Sequence, residues 1–286
     1  MVPINMEEEC ALKIRIKFTK RGSMSYIGHL DVMRYFQKVI RRAGIPIAFS
    51  SGYSPHMIMS FASPLGLGVT SEGEYFDIEI TEEMTSKEAV ASMNATSVEG
   101  IEVLSFRRIP SEKKSSGMTI LAGASYVVTF EESVCGAFQR ESIGDVLRSF
   151  LEQWEISILK ETKRSKNIVN IKPFIYELKV REKYISKGED INKQEDVDKQ
   201  KEINKQEVLK KKEEVRDKKI EVEMTLAAGS RENLKPNLVM EALCLYTGVE
   251  YRECSYQYHR LEMFANVGDE ENITLVSLES LGKEIL

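Results

Sequence analysis

Histidine is the side chain whose ordinary pKa best suits proton transfer near neutral pH, and this chain contains only three histidines. His29 lies in the sequence Tyr-Ile-Gly-His-Leu-Asp, close to Tyr26 and downstream of Lys20. A cation that neutralises a phosphate, here Lys20 or Arg21, with a histidine and a tyrosine that move protons, is one arrangement for metal-independent RNA cleavage. His29 also fits a purely structural helix start, or a weak metal-ligand pair with Asp31.

Basic side chains follow at positions that share one helix face. The cations of residues 34–42 occur at i, i+4, i+7 and i+8, and two more cations lie in the loop before the helix. The loop 52–56 then combines an aromatic ring, a hydroxyl and an imidazole, which suits recognition of a base or a phosphate. A solvated helix face and an ordinary turn are the alternatives. The predicted RNA- or substrate-binding set is Lys20, Arg21, His29, Arg34, Lys38, Arg41, Arg42, Tyr53, Ser54 and His56.

Stronger catalytic signatures are missing from the sequence. It contains no GxSxG, no HExxH and no P-loop, so we predict no nucleophile motif. The four cysteines are scattered without CxxC spacing, which predicts no disulfide framework and no metal site. No apolar run approaches the ~18–20 residues of a membrane span, and the first residues lack the apolar core of a signal peptide. We expect a cytoplasmic protein without membrane contact.

Charge is distributed unevenly although the formal net charge is only −5. Residues 12–66 contain nine Lys and Arg against one acid, whereas residues 67–105 contain nine acids against one lysine. One interpretation is cross-strand pairing, with Lys13, Arg15 and Lys17 on the same sheet face as Asp77 and Glu79. The other is that the two segments are docking faces for a partner. A further basic stretch comprises Lys160, Lys163, Arg164, Lys166 and Lys172.

Hydrophobic periodicity predicts the elements that must position these residues. In the first half, alternation predicts strands at residues 12–18 and 74–80, an apolar-to-polar segment at Ile45–Ala62 lies between them, and a further strand lies near 101–106. Apolar residues three and four apart predict a helix from Ile27 to Ala43, which Gly44 and Pro46 end, and a second helix lies around 86–93. The order is βαββαβ, the ferredoxin-like unit.

The second half repeats that order. Strands are predicted at 126–130, 174–180, 220–226 and 258–265, and helices at 143–154 and 236–246. Ser142 and Asp145 have the spacing of a capping box. The strands at 174–180 and 220–226 are expected to be hairpin partners separated by an insertion at 187–218. Twenty of those thirty-two residues are charged, ten of each sign, which predicts a solvated segment that is either disordered or a frayed helix.

The predicted fold class is α+β, with two tandem ferredoxin-like units and the charged insertion. Residues 1–11 form an N-terminal extension and 12–110 the first unit. A polar linker at 111–117 leads to the second unit at 118–286, which the insertion interrupts.

Several motifs in the first half resemble the radical SAM-linked proteins, a bacterial family described as a domain of unknown function. The resemblance rests on Lys13-x-Arg15-x-x-Phe18-x-Lys20, Tyr26-Ile27-Gly28-His29-Leu30-Asp31, Arg41-Arg42-Ala43-Gly44-Ile45-Pro46, Gly52-Tyr53-Ser54-Pro55-His56 and Ser71-x-x-Glu74-Tyr75. Members of that family occur beside a radical SAM protein or fused to its C-terminus. The resemblance therefore implies a radical SAM protein as the partner.

A radical SAM enzyme holds its cluster with three closely spaced cysteines, which this chain lacks. We therefore expect no cofactor in this chain, with the iron–sulfur cluster and S-adenosylmethionine on the partner only. The resulting hypothesis is a non-catalytic accessory protein that binds RNA or presents a substrate. The alternatives are an RNA-processing endonuclease that uses His29, Tyr26 and Lys20, and a protein-interaction module without RNA binding.

Overall fold

The computed structural model describes residues 11–130, 142–161, 166–186, 216–269 and 272–286. Almost all of the predicted N-terminal extension and most of the predicted 187–218 insertion lie outside these ranges. In the described ranges, no helix is both long enough and apolar enough to cross a membrane.

The element order of the first half is the predicted one. It comprises β1 (Leu12–Lys20), α1 (His29–Arg42), β2 (Met59–Phe61), β3 (Thr70–Ile80), α2 (Ser86–Ala95) and β4 (Val103–Arg108). A short helix, α3 (Gly117–Ile120), then leads into the second half. The second half comprises β5 (Leu121–Phe130), α4 (Ile143–Glu152), β6 (Ser157–Glu161), β7 (Lys166–Asn170), β8 (Ile175–Ser186), β9 (Arg216–Ala227), α5 (Pro236–Thr247), β10 (Tyr256–Asn266), β11 (Leu275–Ser277) and β12 (Lys283–Glu284).

One mixed sheet of ten strands runs through both halves. Its order is β12-β4-β1-β3-β10-β5-β9-β8, with β2 paired to β3 and β11 paired to β10. β3 and β10 pair in parallel through two residue pairs, whereas the other pairs in this sheet are antiparallel. We call this parallel junction the seam. The two halves therefore share one sheet.

Alternation in β1 produces the two faces of the first half. Ile14, Ile16 and Phe18 are almost completely buried in a core that includes residues from α1, α2, β3 and β4. On the other face, Arg15 lies opposite Asp77 and Lys13 opposite Glu79, which confirms the predicted cross-strand pairs. Lys17 differs from the prediction, because its ammonium binds Glu262 and Glu279 of the second half.

Helix α1 buries a narrower stripe than the sequence predicts. Val32, Phe36, Val39 and Ile40 face the core, whereas Leu30 is 59% exposed at the start of the helix. The helix ends before Gly44, whose φ of +67° lies in the left-handed region that favours glycine. The cations of α1 consequently lie on the side away from the core.

In the second half, one predicted strand pairing is present, one predicted helix cap is absent, and one hairpin was not predicted. β8 and β9 pair in antiparallel fashion, as expected of the interrupted hairpin. Ser142 makes no side-chain cap to α4, and the Asp145 carboxylate accepts a hydrogen bond from Arg148. β6 and β7 form a separate two-stranded hairpin that the sequence analysis did not identify.

The predicted linker and the C-terminal segment both pack onto the first half. The buried Arg15 guanidinium donates to the Ser115 carbonyl at 2.7 Å and to the Leu278 carbonyl at 3.2 Å. The backbone N–H of Gly117 donates to the Asp77 carboxylate at 2.7 Å. β12 pairs with β4 at the edge of the sheet in the first half. The range 118–286, which was predicted to be the second unit, therefore also contributes a strand to the first half.

Candidate nucleic-acid interface

Helix α1 presents four exposed cations away from the core, which we call the basic face: Arg34, Lys38, Arg41 and Arg42. Arg34 donates to Asp31 one turn earlier at 3.3 Å. The other three form no ion pair within the part of the chain that the structure describes. Arg41 and Arg42 lie in the last turn, where the helix dipole favours positive charge. Three cations of this face are thus available to an external anion.

The acidic segment at 67–105 does not neutralise the basic face. Five of its acids form ion pairs elsewhere, four of them with cations of β1, the loop after β1, or β10. The pairs are Glu72 with Arg21, Glu74 with Arg260, Asp77 with Arg15, Glu79 with Lys13 and Glu83 with Arg108. Pairing across strands therefore accounts for much of the charge asymmetry, and the cations of α1 are the part that it leaves uncompensated.

A projecting hairpin follows α1 after four residues, and its two ends are anchored on one residue of β3. Residues 47–58 form this hairpin. The Ala48 N–H donates to the Glu79 carbonyl at 2.7 Å, and the Glu79 N–H donates to the Ile58 carbonyl at 3.3 Å. Phe49 bridges to Met57 at the next position. The hairpin therefore leaves the sheet edge beside the C-terminal end of α1.

Two hydrogen bonds close the hairpin just below its tip. The Ser50 N–H donates to the His56 carbonyl at 2.8 Å, and the His56 N–H donates to the Ser50 hydroxyl at 3.1 Å. The Ser50 hydroxyl also lies 2.8 Å from Nδ1 of His56. The Nε2 edge of the ring takes no part in these contacts. Tyr53 and Ser54 are exposed at the tip, where Gly52 adopts a φ of +113°.

Lys20 and Arg21 are not part of the exposed surface formed by α1 and the hairpin. The Lys20 ammonium is 2% exposed and donates to the carbonyls of Ser25 and Ile27, at 3.3 and 2.9 Å. Burial lowers the pKa of this ammonium, although the nearby Glu74 carboxylate opposes the shift. Arg21 pairs with Glu72 at 2.9 Å. Lys20 therefore supports the turn that leads into α1, and its hydrogen bonds are directed away from solvent.

His29 and Tyr26 lie at the start of α1. The His29 ring packs edge-on against Phe61, with ring centroids 5.1 Å apart, and Tyr26 is 75% exposed. Because the Lys20 ammonium is bound to two carbonyls, the structure does not assemble the His29–Tyr26–Lys20 set that the endonuclease alternative requires. Within the described ranges, no three His, Cys, Asp or Glu side chains cluster as a metal site.

Sequence reasoning missed the polar residues that join the halves at the seam. Arg260 is 5% exposed and donates to the Glu74 carboxylate at 3.0 Å and to the Tyr126 hydroxyl at 3.2 Å. On the opposite face, the Lys17 ammonium and the Tyr75 hydroxyl both donate to Glu262, at 2.7 and 2.6 Å. The available signal was a charged residue within an otherwise apolar strand pattern.

The predicted second basic stretch does not add a described cation to this surface. The Lys172 ammonium donates to the Gln153 carbonyl at 2.5 Å, which holds the β6–β7 hairpin against the end of α4. Residues 162–165, and the side chains of 160–161 and 166, lie outside what the structure describes. The candidate interface therefore consists of the basic face of α1 and the 47–58 hairpin.

Comparison with solved structures finds distant similarities, among them two chains at 10% identity or less. One is to a chain of the "Crystal Structure of a Cbf5-Nop10-Gar1 Complex", at 10% identity and a TM-score of 0.38, over 92% of this chain and 51% of that chain. This chain thus spans about half the length of that one. The other is to an "Unknown Protein from Galdieria sulphuraria", at 9% identity and a TM-score of 0.21, over 87% of this chain and 97% of that chain.

No curated protein matches the chain. A family model does match residues 13–236, and its description is "Uncharacterized protein conserved in bacteria (DUF2344)". That description includes neither an activity nor a partner, so the radical SAM association implied by the motifs stays a prediction. Because the match extends over most of the sequence, this chain belongs to DUF2344, an uncharacterized family conserved in bacteria.

Proposed function

We propose that this protein is a non-catalytic accessory chain that binds RNA through the basic face of α1 and the 47–58 hairpin. The observation that carries the proposal is the absence of any ion pair at Lys38, Arg41 and Arg42 among the described residues, while five acids of the segment 67–105 are paired with other cations. Closely spaced cations of this kind attract a partner with repeated negative charge, and a phosphate backbone is such a partner.

The adjoining sequence favours a nucleic acid over an acidic protein as that partner. Residues 43–71 contain no Asp, Glu, Lys or Arg, so the surface beside the cations is uncharged. Its exposed tyrosine and histidine are side chains that stack on bases. A nucleic acid offers both phosphates and aromatic bases, and therefore matches both parts of this surface.

The geometry supports binding better than catalysis. A metal-independent endonuclease needs a cation that stabilises the phosphate beside the proton-transferring histidine. Of the two cations predicted for that role, Lys20 is buried and donates to two backbone carbonyls, and Arg21 pairs with Glu72. We therefore place the reaction on a partner enzyme, which the sequence resemblance predicts to be a radical SAM protein with its own cluster and S-adenosylmethionine.

We interpret the two halves of the sheet as ferredoxin-like units. The strand orders β4-β1-β3-β2 and β10-β5-β9-β8 follow the same pattern when β6 and β7 are set aside. In each half, a helix follows the first strand and another precedes the last strand. In this interpretation, α1 is the first helix of its unit. The turn before α1 is held by the Lys20 ammonium, and the 47–58 hairpin follows the end of α1.

The direct test is RNA binding by a variant that lacks the three unpaired cations. Lys38→Ala, Arg41→Ala and Arg42→Ala are combined, and the affinity for a labelled single-stranded RNA is measured by fluorescence anisotropy at low salt. We expect a loss of at least tenfold, because three phosphate contacts disappear. The matched control combines Arg148→Ala, Lys179→Ala and Arg252→Ala, which removes the same charge from paired cations of the second half. Equal losses in both variants would contradict the proposed site.

The partner is tested by purification of the tagged chain from its own cells without oxygen. Recovery of a protein with an iron–sulfur cluster supports the accessory function, and recovery of RNA supports the proposed ligand. If neither is recovered and purified RNA does not bind, the proposal fails and the protein-interaction alternative replaces it. Cleavage of RNA by the isolated chain in EDTA, abolished by His29→Ala, would establish the endonuclease alternative instead.

A further inference from the structure

We infer that the nucleic acid recognised at this interface is single-stranded, with its unpaired bases stacked on the rings of the 47–58 hairpin. This inference rests on the proposed function and specifies its substrate class. Its first support is the exposure of three rings on one short hairpin. Tyr53 is fully exposed, Phe49 is 50% exposed, and His56 is exposed as well. An isolated exposed ring is common, but three within twelve residues concentrate exposed rings on one hairpin.

The second support is the separation of charge between the helix and the hairpin. The hairpin contains no Asp, Glu, Lys or Arg. Its contacts with a ligand therefore suit an uncharged part of that ligand. The cations lie on α1, which ends four residues before the hairpin begins. The cations of α1 can therefore bind the phosphates. The part of the ligand that reaches the hairpin must be uncharged and planar, because it contacts aromatic rings. A nucleobase meets both conditions.

The third support is the fixed shape of the hairpin. The Ser50 hydroxyl bonds both the N–H and Nδ1 of His56, and Phe49 bridges to Met57. These contacts hold the His56 ring and the two arms of the hairpin in place before a ligand arrives. Fixing a binding surface in advance reduces the conformational entropy lost on binding. Exposed rings on a closed hairpin are therefore suited to capture bases.

These three features distinguish single strands from duplexes. In a duplex the bases are stacked on one another, and A-form geometry leaves mainly phosphates and hydroxyls at the accessible surface. A duplex would use the cations of α1 and gain nothing from the rings. An unpaired strand, or the loop of a folded RNA, exposes the faces of its bases and engages both parts.

The experiment compares an unstructured single-stranded RNA of about ten nucleotides with a duplex of the same length. Binding is measured for the wild type, Tyr53→Ala, Phe49→Ala and Trp154→Ala. We expect the wild type to prefer the single strand, and each hairpin variant to weaken that binding roughly 5- to 100-fold. Trp154→Ala is the matched control, because this ring is 94% exposed and lies in the second half. Its affinity for the single strand should equal that of the wild type.

The outcomes separate this inference from the proposed function. If duplex and single strand bind equally, or if both hairpin variants bind like the wild type while the variant lacking Lys38, Arg41 and Arg42 does not, stacking is refuted and the basic site remains. If neither RNA binds the wild type at low salt, the proposed function fails as well. The exposed hairpin would then be assigned to contact with a protein.

Discussion

At the scale of single residues, the buried guanidinium of Arg15 joins three separate parts of the chain. It forms a bidentate ion pair with Asp77, with hydrogen bonds of 2.9 and 3.0 Å, and also donates to the carbonyls of Ser115 and Leu278. A strand of the sheet, the connection between the halves and the C-terminal segment thus meet at one side chain. Sequence alternation predicted the pair with Asp77, but not the two carbonyls, because those contacts join residues about 100 and 263 positions apart.

Removal of the Asp77 carboxylate should therefore be strongly destabilising. Asp77→Ala leaves a buried guanidinium without its counter-charge, which typically costs about 3–5 kcal/mol of unfolding free energy. Urea denaturation of the variant and the wild type measures this difference. Glu177→Ala is the control, because its partner Lys179 is half exposed, and such surface pairs contribute about 0–1 kcal/mol. Similar losses in the two variants would refute the structural importance assigned to the Arg15 pair.

His259 is the residue whose burial predicts a dependence of stability on pH. Its Nδ1 lies 2.8 Å from the Thr70 hydroxyl across the seam. Burial lowers the pKa of this imidazole below its ordinary value of 6.5, and Arg21 and Arg181 lower it further, while Glu72 and Glu221 oppose the shift. The folded chain then binds fewer protons here than the unfolded chain. Stability must fall as the pH decreases through 6.5 toward the folded pKa.

The variant His259→Gln should lose less stability than the wild type between about pH 7 and pH 5. The difference in slope cannot exceed about 1.4 kcal/mol per pH unit, because a single proton is involved. Urea denaturation across this pH range measures both profiles. Parallel profiles would show that His259 does not contribute to the pH dependence.

At the scale of elements, the best predictions were those that depend on local periodicity. The strand β1 and its pairing with β3 followed from alternation, because side chains on a strand point to opposite faces in turn. The cations of α1 were assigned to one face by their spacing, and the structure leaves them exposed. The 47–58 hairpin was identified only as a loop, because its closure depends on contacts with β3 that local sequence does not encode.

Other predictions failed where tertiary contacts override local preference. Lys20 was predicted to bind phosphate beside a helix start, but the turn before α1 places two carbonyls within reach of its ammonium. Ser142 and Asp145 have the spacing of a capping box, yet Arg148 takes the carboxylate. The strands β6 and β7 are short and include two members of the basic stretch, Lys160 and Lys166, which were predicted as exposed surface.

One hydroxyl, that of Ser50, contributes two contacts to the closure of the 47–58 hairpin. Ser50→Ala removes both contacts of that hydroxyl with His56, each of the kind that contributes about 0.5–1.5 kcal/mol. We expect faster hydrogen exchange at the His56 amide and weaker RNA binding, with little change in global unfolding. Ser51→Ala is the control, because its hydroxyl makes no hydrogen bond within the described residues. An unchanged exchange rate in Ser50→Ala would refute this account of the hairpin.

At the scale of the whole molecule, the seam is the feature that the sequence could not predict. Only two residue pairs join β3 and β10, and these residues are nearly 190 positions apart. Polar contacts on both faces reinforce this short junction, through Glu74 and Arg260 on one face and Tyr75 and Glu262 on the other. Burial raises the pKa of Glu74, although the Arg260 guanidinium opposes the shift. The two halves therefore form one body through a small, densely hydrogen-bonded junction.

The seam also requires a residue without a side chain on β3. A Cβ atom at Gly73 would lie 2.6 Å from the Leu261 carbonyl oxygen and 2.7 Å from Cα of Glu262. Gly73→Ala should force β3 and β10 apart and destabilise the protein by about 1–3 kcal/mol, with increased proteolysis near the junction. Gly66→Ala is the control, because its nearest neighbour would be a Val69 methyl at 3.5 Å. Equal stability of the two variants would contradict the close approach of the strands.

The salt dependence of RNA binding tests the central claim most directly. The binding constant for a single-stranded RNA is measured at several salt concentrations, for the wild type and for the variant that lacks Lys38, Arg41 and Arg42. Each phosphate contact contributes a slope of about −0.7 in log K against log salt, so the loss of three contacts should make the slope shallower by about 2. A slope that is the same for both proteins, or a wild type that does not bind at low salt, would contradict RNA recognition by the basic face of α1.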